Sequence, residues 1–263
     1  MPAADAPCPE QAFNATALKW HTCAWLLLPV LVFLAGWMHW YAALPLTLLT
    51  AAGLAPRKRK EPQTRDSLPA FPLFTRSSFL ALAAFAALMA LSGWGEWVNQ
   101  HPDHIVRNAC LRELVASPWP VIFPDGNVLI YNTGFWLVPA LAGKLAGLDA
   151  ARMLVVLWGA WGLFLSWLWL CVFSGRRSLL LALLMAAFGS LLNLQCWLGL
   201  NLFRLHYFGT AEQIMCSANA SIPVLLFFIF LASGRMPLYW MPILFAATAF
   251  YSPLAALGGL PLA

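Results

Sequence analysis

The feature that most constrains this chain is its series of long apolar runs, which occur at 23–55, 79–94, 153–173, 179–200, 222–232 and 238–263. A helix that crosses the bilayer core of about 30 Å needs roughly 20 apolar residues. Only 10% of the 263 residues are charged, which is too few to cover the surface of a soluble domain of this length. The sequence therefore predicts an all-α, polytopic membrane protein. It excludes a cytosolic enzyme, a nucleic-acid-binding module and a disordered chain.

The first apolar run is too long for one span and short for two. Pro29, Gly36 and Pro45 interrupt it, so we interpret 23–56 as a hairpin of two short helices that turns at 37–41. A single, strongly tilted helix is the alternative.

We expect one membrane domain over 1–263 with about seven transmembrane helices. Residues 77–94 form the span after the hairpin, and 151–263 supply the remaining spans. The sequence stops inside an apolar stretch, which indicates either an incomplete architecture or the need for a partner subunit.

Basic residues are concentrated in a few loops, and the positive-inside rule places such loops in the cytoplasm. These residues are Arg57, Lys58, Arg59, Lys60, Arg65 and Arg76 in the loop 57–76, Arg176 and Arg177 in a second loop, and Arg235 in a third. The segment 95–150 is then predicted to lie on the extracytoplasmic side.

The segment 95–150 is too long for a simple connection, so we expect it to contain helices of its own. Pro102 suits a helix start, and the apolar residues that follow recur at spacings of three and four, which predicts an amphipathic helix at the membrane surface. These residues are Ile105, Ala109, Leu111, Leu114 and Val115. We predict a second surface helix over 131–148. Hydropathy also allows a span there, but that span would move Arg176 and Arg177 out of the cytoplasm.

Asp103 is the candidate catalytic residue of this segment. It lies in His101-Pro102-Asp103-His104, soon after the predicted span 77–94. A carboxylate just outside the membrane can act as a general base. The alternative is structural, because aspartate is also a favoured N-cap residue and a helix is predicted to start here.

The order of these elements resembles the N-terminal half of GT-C glycosyltransferases, which are polytopic enzymes that use polyprenyl-phosphate-linked sugars. The likeness covers roughly 95–200. The sequence His101-Pro102-Asp103-His104 is similar to the His-Pro-Asp-Glu signature of dolichol-phosphate-mannose-dependent mannosyltransferases, with His104 in place of the final acid. The stretch 141–177 resembles protein O-mannosyltransferase and aminoarabinose-transferase relatives. Its matching motifs are Lys144-Leu145-Ala146-Gly147, Ala151-Arg152 and Arg176-Arg177.

The resemblance implies that Asp103 deprotonates an acceptor hydroxyl. The implied substrate-binding candidates are His101, His104, Arg107, Arg204 and His206. Arginine suits a phosphate leaving group because its donors have a fixed geometry. Because His104 replaces an acid, the class of acceptor and any use of a divalent metal stay open, and no cofactor is otherwise implied.

Each of these residues also has a structural interpretation. His101 and His104 are typical of surface histidines, although with Asp103 their composition would also permit a zinc site. Arg107 and Arg112 suit a solvated stripe, and Arg204 suits a side chain that reaches for lipid headgroups.

Two functional hypotheses follow. The first is an inverting glycosyltransferase whose partners are a polyprenyl-phosphate-linked sugar and membrane lipid. By resemblance to the bacterial relatives, it would lie in a bacterial inner membrane with 95–150 in the periplasm. The second is a non-catalytic integral membrane protein, either a lipid-handling or assembly subunit or a truncated enzyme-like chain. A transporter is a weaker third choice, since the predicted spans have almost no ionisable groups at their centres.

Overall fold

The computed structural model describes residues 15–56, 75–98, 100–188 and 209–259. The helices are α1 (Ala15–Trp37), α2 (Trp40–Leu54), α3 (Arg76–Leu91), α4 (Pro102–Ala116), α5 (Gly134–Ala146), α6 (Leu148–Ser174), α7 (Leu179–Ala187), α8 (Thr210–Ala232), α9 (Met241–Tyr251) and α10 (Pro253–Gly259), with a 3-10 turn at Leu238–Trp240. In the described ranges, β pairing is confined to an isolated bridge between Ile122 and Val128. The all-α prediction is confirmed.

Three of these helices are long and apolar enough to cross a membrane: Thr16–Trp37 within α1, all of α6 and all of α8. Shorter apolar helices occur at Trp40–Leu54, Arg76–Leu91, Gly134–Ala146 and Leu238–Tyr251. The length and apolar composition of these helices are consistent with a membrane protein. The number of about seven spans stays a prediction, and most of the apolar run 179–200 lies outside the described residues.

The first apolar run forms two helices rather than one continuous helix. The chain turns at Met38 and His39, inside the expected range 37–41, and His39 is extended with φ −62° and ψ 144°. Pro29 and Pro45 lie inside α1 and α2 and do not end them. Helices in apolar surroundings tolerate proline, because neighbouring groups can satisfy the freed backbone carbonyls.

The core is built around α6, which packs against α1, α3, α5 and α8. Gly162 allows the closest approach: a Cβ atom there would lie 2.6 Å from Ile222 Cγ2 and 2.7 Å from Trp25 Cζ2. The indole of Trp25 also stacks on Tyr251 of α9, with ring centroids 5.4 Å apart. Small residues let apolar helices pack through van der Waals contact where the hydrophobic effect is weak.

The expected second helix of the segment 95–150 forms as α5. Its residues Phe135, Trp136, Leu137 and Ala140 are fully buried, and α5 packs against α1, α4 and α6. Leu141 and Leu145, on the other face, are exposed. A 13-residue helix is about 20 Å long. Its position at the membrane surface stays a prediction.

Candidate functional site

The chain makes a tight elbow at residues 93–96, directly after α3, and this elbow positions residues of the site. Gly93 and Gly95 have φ values of 95° and 96°, and Glu96 itself has φ 68°. Glycine adopts this left-handed region without penalty, whereas a residue with a Cβ pays roughly 1 kcal/mol or more. The elbow turns the Trp94 indole into the core, where it is buried. It also directs Glu96 toward two arginines, and these contacts hold the strained residue in place.

Glu96 connects three parts of the fold. Its Oε2 accepts a hydrogen bond from Arg112 of α4 at 2.5 Å and another from Arg152 of α6, and Arg152 also binds Asp149 at 2.8 Å. Burial favours a higher pKa for Glu96, but the hydrogen bonds and charges of both arginines outweigh it and hold that pKa below its ordinary range. A carboxylate kept ionised in this way is a weak base. Its role is to fix α4 and α6 to the end of α3.

Helix α4 begins beside this elbow, and His101 is its N-cap. The His101 Nδ1 atom accepts a hydrogen bond from the backbone N–H of Asp103 at 3.4 Å, and Pro102 occupies the first turn. The interpretation of Asp103 as the N-cap residue is therefore wrong. Its side chain is 53% exposed, and its Oδ2 lies 3.7 Å from both Arg107 Nη2 and His101 Nδ1. Asp103 is free to meet a substrate from the solvent side.

The buried face of α4 is polar at one end and apolar at the other. His104, Arg107, Leu111 and Leu114 are all buried, and their spacing places them on one face of the helix. Three expectations are corrected here. Arg107 is not part of a solvated stripe, His104 is not a surface histidine, and Ile105, which was expected on the apolar face, is 70% exposed.

The polar end of this face meets a break in α8. The helix is interrupted at Ser217, which has φ −154° and ψ 40°. Backbone carbonyls near a break lose their partners four residues ahead and need others. His104 Nε2 donates to Met215 O at 2.9 Å, and Trp94 Nε1 donates to Ile214 O at 2.8 Å. The break is therefore held by α4 and the elbow.

Ser221 secures the break from the other side, since its Oγ donates to Ser217 O at 2.8 Å. The His104 ring is buried here, and burial lowers its pKa below the ordinary value of 6.5. A backbone carbonyl can only accept a hydrogen bond, so the neutral ring carries its proton on Nε2 and presents Nδ1 as an acceptor.

Several buried polar atoms beside the break have no hydrogen-bond partner within the described residues. They are Arg107 Nε, Arg107 Nη1, His104 Nδ1 and Asn219 Oδ1. The Arg107 guanidinium lies 5.7 Å from the centroid of the Trp94 ring, so a cation–π contact stabilises the charge without using its N–H groups. An unsatisfied buried polar group costs about 1–3 kcal/mol. The cluster therefore favours a bound polar molecule.

The structure brings together four of the predicted site residues, which are His101, Asp103, His104 and Arg107. The other two, Arg204 and His206, lie outside the described residues. Among the described residues, no group of three or more His, Cys, Asp or Glu side chains could hold a metal ion.

Sequence reasoning missed Trp94, Glu96 and Asn219. The pattern Gly93-Trp94-Gly95-Glu96 carried a signal, since closely spaced glycines beside a charged residue are typical of a tight turn. Asn219 carried none, because a single asparagine in an apolar run does not reveal which neighbour it faces.

No family model, curated protein or solved structure matches this chain.

Proposed function

We propose that this protein is a membrane glycosyltransferase of the GT-C type, which transfers a sugar from a polyprenyl-phosphate donor to an acceptor hydroxyl on the extracytoplasmic side. One observation carries the proposal. An exposed carboxylate, Asp103, lies 3.7 Å from the Arg107 guanidinium, which is nine-tenths buried. Two nitrogen atoms of that guanidinium have no partner among the described residues. A base and a phosphate binder are thus adjacent at the end of an apolar bundle.

The proposed reaction is a single displacement. Asp103 takes the proton of the acceptor hydroxyl, whose oxygen attacks the anomeric carbon of the donor sugar. The bond between that carbon and the phosphate oxygen breaks with its electron pair, and polyprenyl phosphate leaves. The configuration at the anomeric carbon is inverted. Catalysis then consists of positioning the hydroxyl and stabilising the leaving phosphate.

Arg107 suits the leaving phosphate for two reasons. Its guanidinium is fixed by the Trp94 ring and by burial, so little side-chain entropy is lost when an anion binds. Its Nε and Nη1 atoms also have no partner among the described residues, so their N–H groups are left to donate to phosphate oxygens. The neighbouring Asp103 carboxylate would oppose a ground-state anion, and this opposition falls when Asp103 accepts the proton.

The location follows from the same proposal. The ends of α3, α6 and α8 that meet at the site lie beside 95–150, the segment that the positive-inside rule assigns to the extracytoplasmic side. We propose a bacterial inner membrane with this segment in the periplasm.

The test is release of polyprenyl phosphate from a panel of polyprenyl-phosphate sugars by the purified protein and by Asp103→Asn. Loss of a general base lowers turnover by about 10²–10⁴-fold, so we expect at least a hundredfold drop. Asp125→Asn is the matched control, because Asp125 is an exposed aspartate in the same segment and binds its neighbour Asn127. Turnover that is equal in wild type and Asp103→Asn would remove Asp103 from the chemistry.

The second candidate is a non-catalytic membrane protein, and one observation favours it. Asp103 lies in the first turn of α4 and pairs with Arg107 at the i,i+4 spacing. This arrangement stabilises a helix through its dipole and a side-chain pair without any chemistry. Background release by wild type, with a cooperative melting transition, would favour this candidate.

A further inference from the structure

We propose that the break in α8 forms a hydroxyl-binding subsite, in which Asn219 Oδ1 and His104 Nδ1 accept hydrogen bonds from the sugar of the donor. The inference rests on the proposed function and names the part of the site that would recognise the sugar. Asp103 and Arg107 account for the acceptor proton and the phosphate. The ligand of the two buried acceptors, Asn219 Oδ1 and His104 Nδ1, is left to be assigned.

Both acceptors are buried and unpartnered. Asn219 is 6% exposed and His104 is 1% exposed, and neither Asn219 Oδ1 nor His104 Nδ1 has a partner among the described residues. Each atom needs a donor, and the cost of leaving it bare is the full desolvation penalty of the group. A neutral hydroxyl supplies such a donor, whereas a phosphate oxygen does not.

The two acceptors belong to elements that are joined at the break. His104 binds the carbonyl of Met215 through its other ring nitrogen, and Asn219 follows Met215 by four residues along α8. Arg107 lies one turn after His104 on the same buried face of α4. His104 therefore lies beside the proposed phosphate binder, and Asn219 lies two residues after Ser217, where α8 is interrupted.

The donors of Arg107 and the acceptors of Asn219 and His104 together indicate the class of ligand. A simple anion would use Arg107 and be repelled by two acceptor atoms. A phosphate that carries a sugar presents oxygens to the guanidinium and hydroxyl donors to the two acceptors. Discontinuous helices in membrane proteins are tolerated where they line a cavity, and they often place polar groups at a substrate.

The experiment compares two soluble probes by calorimetric titration of the purified full chain. One probe is citronellyl phosphate, and the other is citronellyl phosphate carrying a hexose, tested with mannose, glucose and N-acetylglucosamine. Each hydrogen bond to a buried acceptor is worth about tenfold in affinity. We expect at least one hexose to bind about tenfold more tightly than citronellyl phosphate alone, and Asn219→Leu to remove that gain.

Asn108→Leu is the matched control, because Asn108 lies on α4 beside Arg107 and its amide already binds Gln100 Oε1 at 2.7 Å. We expect Asn108→Leu to keep the tighter binding of the hexose derivative. Affinity for citronellyl phosphate in the same Asn219→Leu preparation reports folding. Asn219→Ser, which fills less volume and keeps a small polar group, provides the same comparison if leucine is not accommodated.

Three outcomes would overturn the inference. The first is equal affinity of wild type for citronellyl phosphate and for every hexose derivative. The second is a gain that survives in both Asn219 variants. The third is loss of both affinities in a variant with the wild-type melting temperature, which would make Asn219 a phosphate ligand. None of these depends on turnover, so failure of this inference is distinguishable from failure of the transferase assay.

Discussion

Replacing Glu96 by glutamine tests whether one buried carboxylate holds α3, α4 and α6 together. The Glu96 side chain is 8% exposed, and its Oε2 accepts from both Arg112 and Arg152. Glutamine keeps the shape and one acceptor oxygen but removes the charge. Its carbonyl oxygen is the acceptor left to the two guanidiniums, and its N–H₂ group takes the place of Oε1. Arg112 and Arg152 then lose the charged carboxylate that both of them bind.

The magnitude follows from how deeply each partner is buried. Removing one member of a buried ion pair costs about 3–5 kcal/mol. The Arg112 side chain is 55% exposed and is partly screened by solvent, so we expect about 2–3 kcal/mol for Glu96→Gln. For a domain of this size, that loss corresponds to a melting temperature lower by roughly 5–10 °C.

The assay is thermal unfolding of the detergent-purified protein, followed by the fluorescence of its 14 tryptophans. Asp149→Asn is the control, because Asp149 binds the same Arg152 but its side chain is 93% exposed. We expect no measurable change for this variant. A melting temperature of Glu96→Gln that matches wild type, or an equal loss in Asp149→Asn, would refute the reasoning.

The pH dependence of stability is an independent check of the contribution of Glu96. The folded-state pKa of Glu96 lies below its ordinary value of 4.5. The stability that it contributes is therefore present above that value and is lost as the pH falls through the folded-state pKa. The difference in melting temperature between wild type and Glu96→Gln should therefore become smaller in acid. A difference that stays constant down to about pH 3 would contradict the assignment to this ionised group.

Two further predictions concern the α8 break and the core. Burial lowers the pKa of His104 below its ordinary value of 6.5, so protonation favours the unfolded state and wild-type stability should fall as the pH drops below that value. His104→Asn should show a flatter pH dependence of the melting temperature, and an unchanged slope would contradict the prediction. Gly162→Val should destabilise the protein by about 1–3 kcal/mol, because its Cβ would lie within 2.7 Å of Ile222 and Trp25; a wild-type melting temperature would show that α1 and α8 do not pack there.

The sequence determined the class of the fold and the position of most helices. Long apolar runs with few charges fold as helices because an apolar solvent leaves no partner for a bare backbone group. Pro102 marked the first turn of α4 and the interrupted first run marked the turn at Met38 and His39, since both signals are local. The i,i+4 relation of Asp103 and Arg107 also followed from helical spacing alone.

Only the tertiary structure decided which faces meet. Hydropathy measures apolar character but does not tell whether protein or lipid surrounds a side chain, so it could not show that Phe135, Trp136 and Leu137 of α5 are buried while Leu145 is exposed. The same holds for α4, where periodicity placed Ile105 with Leu111 and the packing placed Arg107 there.

The candidate site is the clearest case of a feature that local pattern does not contain. His104 and Met215 are 111 residues apart, and the break at Ser217 has neither proline nor glycine at that position. Donors from Trp94 and His104 hold it open, and these arrive from other elements. A helix break that depends on distant hydrogen-bond donors leaves no trace in the local sequence, because the energy that stabilises it comes from contacts made only after the chain has packed.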